Sequence, residues 1–272
     1  MRKSELMREL RSSWAFVERN FHLSRRYLGW EIVFLVYAIV NSVSIGLIGV
    51  GAPGIPADPR LVLYLLTGAL LWSFLSVVFS EVGQAVQWER WEGTIEYTFM
   101  APIRLATYLG GNCLWAVAYA TLRTGALLAA VAVFFRLDLS GANLGGAVAV
   151  LAAAGLSFVG LGLMASVLPL LSTEKGAQAT NIFQASLLLV SGVYYDISAL
   201  PGWLRPLAYA SPGTYTLRAT RAALLDGAPA SALVPDIGIL LAMALVFTPA
   251  GFLIFRAGAR HAMRHGMLKR SG

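Results

Sequence analysis

The 272-residue chain contains one cysteine, three histidines and three lysines, and only 13% of its residues are charged. A single cysteine, Cys113, excludes an internal disulfide and a thiolate metal cluster. The scarcity of charge excludes an ordinary soluble domain, which carries about 25% charged residues to face water. A 57% hydrophobic content and a mean hydropathy of +0.68 exclude a disordered chain as well. What remains is a polytopic membrane protein. The excess of basic residues, net charge +7 with a pI near 9.8, would point to nucleic acid in a soluble protein. In a membrane protein it reads as basic cytoplasmic loops, so no nucleic-acid partner is expected.

Catalytic signatures are also missing. None of Lys3, Lys175 and Lys269 directly follows a glycine, so there is no G-x-x-x-x-G-K-[ST] loop to cradle ATP phosphates. His22, His261 and His265 all lie near the ends of the chain, away from any serine–acid pairing. His261 and His265 stand four apart, but no Glu follows His261, and a basic tail against anionic lipid fits better than a metal site. Gly160-Leu161-Gly162-Leu163-Met164-Ala165 matches a dinucleotide fingerprint only by letter, because it lies in an apolar run without a preceding strand. Small-residue helix packing explains it. The chain is therefore expected to perform no chemistry itself and to hold no cofactor or metal.

Long apolar runs are abundant. A helix needs about 20 apolar residues to cross a bilayer. Six segments qualify: 32–50, 61–80, 105–135, 144–171, 177–195 and 237–255. They are continuous rather than alternating, which selects helices over β-barrel strands. The expected fold is all-α. Residues 1–31 precede the first span and lack the short apolar core and cleavage site of a signal peptide. There Leu6, Leu10, Trp14, Val17, Phe21 and Leu28 recur on one helical face. This reads as an amphipathic helix lying on membrane lipid, with a packing helix as the alternative. Counted by loop, fifteen Lys and Arg fall on the side of the two ends, the basic tail 256–272 included, and five on the other side. Both termini are thus expected in the cytoplasm, consistent with an even number of spans.

Two connections stand out. Residues 81–104 form the longest cytoplasmic loop, helix-forming up to Pro102. Residues 196–236 form an external segment of short apolar pieces between prolines, read as re-entrant or interfacial half-helices. The stretch Trp88-Glu89-Arg90-Trp91-Glu92-Gly93-Thr94-Ile95-Glu96, followed by Ala101-Pro102, resembles the cytoplasmic coupling loop of type-2 ABC transporter permeases. The stretch from Ser191-Gly192-Val193 through Leu200-Pro201-Gly202-Trp203-Leu204 to Ser211-Pro212 and Tyr215 resembles the final external loop of the same family, with Ser211 where Asn is common. The resemblance implies a permease subunit of an ABC exporter in a bacterial or archaeal cytoplasmic membrane. It further implies a second permease half, identical or different, and a separate ATP-binding subunit that holds ATP and Mg. Residues 88–96 would be the coupling helix.

Polar residues in the spans fall into stripes: Tyr37, Asn41 and Ser44 in the first; Ser73, Ser76 and Ser80, continuing to Gln84, in the second; Asn181, Gln184, Ser191 and Tyr195 in the fifth. Each stripe should face protein or a cavity. They serve as substrate path or as interhelical hydrogen bonds; in the resembling family the first, second and fifth spans border the route. Arg123 is the one charge inside a span, with Tyr119 on the same face. Apolar walls with scattered hydroxyls and amides suit an amphiphilic cargo: a drug, a lipid or a lipid-linked glycan. The rival readings are a lipid-modifying membrane enzyme and an ion-driven secondary transporter. Both would require acidic or metal-binding groups within the spans, and the runs themselves contain none.

The charge asymmetry is directly testable. A reporter active only outside the cytoplasm, attached at Gly272, is expected to be silent; strong activity would overturn the topology.

Overall fold

The computed structural model describes residues 3–50, 59–93, 95–172 and 175–265. All regular structure among these residues is helical: α1 Lys3–Arg26, α2 Leu28–Val50, α3 Pro59–Glu92, α4 Ile95–Met100, α5 Leu105–Phe135, α6 Leu144–Leu171, α7 Gly176–Ser191, α8 Arg205–Tyr209, α9 Pro212–Leu225 and α10 Ala230–Arg264. A 3-10 turn covers Ile197–Ala199. Five of the helices, α2, α3, α5, α6 and α10, are long and apolar enough to cross a membrane.

Two helices occupy the centre. α3 and α6 bury most of their spans, whereas α2, α5 and α10 turn most of theirs outward. Phe74 and Phe79 of α3, Phe158 of α6 and Phe255 of α10 are fully buried. α6 and α10 make the closest contact. A Cβ added at Gly160 would collide with the Phe247 carbonyl, and one at Gly251 with the Gly160 carbonyl. The two backbones therefore touch, as small residues allow in lipid, where apolar surface alone gives helices no reason to associate. Cross-helix hydrogen bonds reinforce the contact: Ser157 Oγ donates to Leu240 O at 2.6 Å and Thr248 Oγ1 to Leu156 O at 3.0 Å. The glycine pattern at 160–165 thus packs helices.

α1 lies against α3 and α5 through polar contacts. Ser13 Oγ donates to Thr107 O at 3.0 Å, Asn20 donates to Asn112 at 2.8 Å, and Arg19 pairs with Glu89 at 3.2 Å. Glu9 accepts from the Thr107 hydroxyl and pairs with Arg104. The apolar face points away from the protein: Leu10 and Trp14 are each 62% exposed, and Met7 and Phe21 are exposed beside them. Val17 is half-buried, and the Leu6 side chain lies outside the described residues.

Several boundaries differ from the sequence-based expectation. The second span does not stop at Ser80; α3 runs unbroken to Glu92, because Val82, Val86 and Glu89 remain packed against neighbouring helices. The expected loop 81–104 is therefore largely helix. The fifth segment does not stay helical to Tyr195. α7 ends at Ser191 because Gly192 takes a left-handed φ of 66°. Its 16 residues span about 24 Å, short of the roughly 30 Å hydrocarbon core. The last helix begins at Ala230, seven residues before the expected 237, and continues through Pro235 and on to Arg264, so residues 256–264 are helix rather than tail. Residues 266–272 of the tail lie outside the described residues.

Between α7 and α10 the prolines act as helix starters. Pro206 and Pro212 sit in the first turns of α8 and α9, where no amide hydrogen is needed. Arg221 of α9 fastens this segment to α3: its guanidinium lies 3.5 Å from the Tyr64 ring centroid and donates to Val193 O at 2.9 Å. Burial holds the Arg221 pKa below the usual arginine value.

The α6–α10 contact predicts a large difference between two glycines. Gly160→Val should lower stability by about 1–3 kcal/mol or more through overpacking. Gly238→Ala has open space around it and should change stability by at most about 0.5 kcal/mol. Thermal unfolding of the two variants in detergent measures this; equal shifts would show that the contact is not limiting.

Candidate functional site

Three of the long helices, with Tyr194 beyond α7, line a half-open cavity of about 300 Å³ with mixed polar and apolar walls. α2 contributes Glu31, Tyr37 and Asn41; α3 contributes Ser73, Ser76, Ser80 and Glu81; α5 contributes Tyr119 and Arg123. Helical periodicity explains the convergence, since residues three, four, seven or eight apart share a face. Trp72 and Phe34 complete the walls with aromatic surface.

The charges are held one by one. Glu31, in the first turn of α2, accepts a hydrogen bond from the Tyr119 hydroxyl. A carboxylate at a helix N-terminus is also favoured by the backbone dipole. Glu81 accepts from the Trp115 indole N–H at 2.9 Å. Trp115, Tyr119 and Arg123 follow one another at four-residue intervals on α5, and Trp115 stacks on Tyr119 with centroids 5.6 Å apart. The Arg123 Nε is buried without a hydrogen-bond partner among the described residues, and neither carboxylate comes within 4 Å of the guanidinium nitrogens. A charge at a helix centre in a bilayer costs about 2.5–3.5 kcal/mol, a cost that bears most on Arg123, well inside the apolar run of α5. The cavity thus gathers two carboxyl groups and a guanidinium that do not pair with one another by contact.

The predicted polar stripes are only partly brought together. Tyr37, Asn41, Ser73, Ser76 and Ser80 all line the cavity. Ser44 does not; it is exposed and donates to its own helix at Val40 O. The α7 stripe divides. Gln184 is buried and donates to Ser76, tying α7 to the cavity wall. Asn181 is exposed. Ser191 is buried and bonds Leu187 O and, at 2.7 Å, Ser211 Oγ, which serves as N-cap of α9. Tyr195 donates back to Leu189 O beyond the end of α7. The stripe fails to share one environment because the helix turns off at Gly192. The Gln84 side chain lies outside the described residues.

Glu31 and Glu81 are the residues that the charge-free windows missed, because each stands one position outside a run. Extending the face of Ala38, Asn41 and Ile45 back by seven residues reaches Glu31. Ser73 plus eight reaches Glu81. The apolar runs themselves hold no acid, but the helices that carry them do, and two carboxylates share one cavity with Arg123.

The stretch 88–96 straddles a break in the helix. Trp88, Glu89, Arg90, Trp91 and Glu92 form the last turns of α3; Gly93 takes a φ of 74°, open on all sides to a Cβ; Ile95 and Glu96 begin α4. Only a glycine adopts that conformation without strain. Trp88, Glu92, Tyr97 and Met100 are exposed. Glu89 is instead buried against Arg19 of α1, so it is no part of an exposed acidic surface. Thr94 lies outside the described residues, as do the side chains of Arg90, Trp91, Ile95 and Glu96.

A family model described as ABC-2 type transporter matches residues 13–225, from within α1 to the end of α9. The chain belongs to the ABC-2 type transporter family. No protein of curated function matches it. Family membership, with five span-length apolar helices, makes the chain a multi-pass membrane permease subunit. Such a permease works with an ATP-binding subunit. The cavity of this permease is then a chamber between spans, walled by hydroxyls, aromatic rings and three ionisable groups.

The geometry predicts which positions of the permease meet water. In a Cys113→Ala background, Asn41→Cys and Ser73→Cys should react with a small hydrophilic thiol reagent, and Ser191→Cys should react at least about tenfold more slowly, as burial suppresses exchange with solvent. Faster labelling at position 191 would place the chamber elsewhere.

Proposed function

We propose that this permease is one half of an ATP-driven exporter in a bacterial or archaeal cytoplasmic membrane. Two permease halves, identical or different, would enclose the route. ATP and Mg would be bound by the partner subunit, and no chemistry would occur on this chain. Both termini are placed in the cytoplasm, as the charge asymmetry indicates. Six crossings are assigned, with α7 as a short fifth one, and α8 and α9 as external half-helices. α1 rests its Leu10–Trp14 face on lipid.

The carrying observation is the continuity of α3. This helix of 34 residues is about 51 Å long. It bears Ser73, Ser76, Ser80 and Glu81 on the cavity wall and Trp88–Glu92 at its other end. An unbroken helix moves as a rigid lever, so a push at its end reaches the cavity. The surface at that end, with exposed Trp88, Tyr97 and Met100, has the aromatic and methionine content of a protein interface. The segment 88–96 is accordingly assigned to docking on the ATPase. The cargo is an amphiphile, moved by alternating access of the chamber.

Gly93→Trp should place bulk where the chain turns, and Glu96→Lys should reverse a charge within the segment assigned to docking; an unmatched interfacial charge costs a few kcal/mol. Both variants are expected to insert at normal abundance, because insertion depends on the apolar runs. ATPase activity and ATP-driven transport in reconstituted vesicles should fall by about tenfold or more, corresponding to roughly 1.4 kcal/mol of lost coupling. Parental activity in both variants would reduce the segment to an ordinary connection.

A further inference from the structure

Charge balance in the cavity narrows the cargo, given the transport reading above. Two carboxylates, Glu31 and Glu81, face one guanidinium, Arg123, in about 300 Å³. We propose that the cavity receives the positively charged end of an amphiphile, an amine or quaternary ammonium group, between Glu31 and Glu81.

Four observations carry this. First, two acidic groups share the space with one basic group, an excess of acid that a bound cation balances. Second, each carboxylate is oriented from one side only, Glu31 by Tyr119 and Glu81 by Trp115. Each uses one oxygen for that bond, and its other oxygen has no hydrogen-bond partner among the described residues. An acceptor-only group held in this way is suited to a cation. Third, Trp72, Tyr37 and Phe34 contribute aromatic surface to the lining, and aromatic rings attract ammonium ions through their π faces. Fourth, the Nε of Arg123 is closed off inside the protein. That closes the side-on edge of its donor fork to an anion and leaves only the end-on pair of Nη donors. Arg123 offsets the second carboxylate and so sets the preference at a single positive charge. The Ser73–Ser76–Ser80 row gives hydroxyls to the remaining polar parts of the head, and the apolar body extends along the spans.

The test measures binding to the purified full chain in lipid nanodiscs. Benzyltrimethylammonium is compared with neopentylbenzene, its uncharged isostere, and with phenylmethanesulfonate, an anion of similar size. Equilibrium dialysis reads the affinities. The ammonium compound is expected to bind at least about tenfold more tightly than either of the others. Glu81→Gln and Glu31→Gln should each remove most of that preference, whereas Arg123→Gln should keep or increase it. The comparison of three probes on the parent protein needs no variant and stands whatever the variants do to folding. Equal affinity for the three probes overturns the proposal, as does a preference for the sulfonate that Arg123→Gln abolishes. The transport reading fails separately. Ammonium binding without ATP-dependent uptake in vesicles carrying the partner ATPase removes that reading and leaves the cation site. ATP-driven uptake of amphiphiles with no preference for charge removes the cation site alone.

Discussion

The meeting of α6 and α10 at Gly160 and Gly251 is the contact on which the rest of the bundle depends. Lipid is as apolar as leucine, so burying leucine against leucine gains little in a membrane; close backbone approach and hydrogen bonds must hold helices together. At this crossing both are present, with Ser157 and Thr248 reaching carbonyls of the opposite helix. α6 also packs on α3, α7 and α9, so its position fixes theirs. At its start, Asn143 caps the helix and binds Ala228 O at 2.8 Å, which ties the entry of α6 to the link between α9 and α10.

The cavity lies on the other side of that fixed core. α3 is common to both regions, packed by Phe74 and Phe79 on α6 and α7 and lined by serines toward α2 and α5. A helix with one face locked and one face opening on a cavity can carry motion without losing its own shape. α2 is the least constrained wall, since little of it is buried beyond Ser42, Gly46 and Gly49. α1 adds a second restraint. Arg19 holds Glu89 just before the helix break at Gly93, and Glu9 holds Thr107 and Arg104 just after the short α4. The same helix therefore braces both sides of the segment 88–100 while showing Leu10 and Trp14 outward.

The sequence by itself determined the class of the molecule. Apolar runs as long as a bilayer is thick leave a chain only the helix, because no water is present to satisfy its backbone groups. The helical stretches of α5 and α6 and the amphipathic pattern of α1 were legible from local pattern, whereas the prolines, read in the sequence as breaks between short pieces, turn out to start α8 and α9. The polar faces of α2 and α3 were legible too, since a period of 3.6 brings Tyr37 to Asn41 and Ser73 to Ser76 and Ser80 without any tertiary knowledge.

Tertiary structure decided what local patterns cannot encode. Whether a helix continues past a charge depends on the partner it finds, and Glu81 finds Trp115 thirty-four residues away. Whether a polar stripe faces a chamber or a neighbour depends on which helices come together, and so Gln184 bonds Ser76 whereas Ser191 bonds Ser211. The assembly of Glu31, Glu81 and Arg123 around one space belongs to this second kind. Each stands on a different helix, two of them just beyond the apolar windows, and only the packing of α2, α3 and α5 makes a single electrostatic site of them.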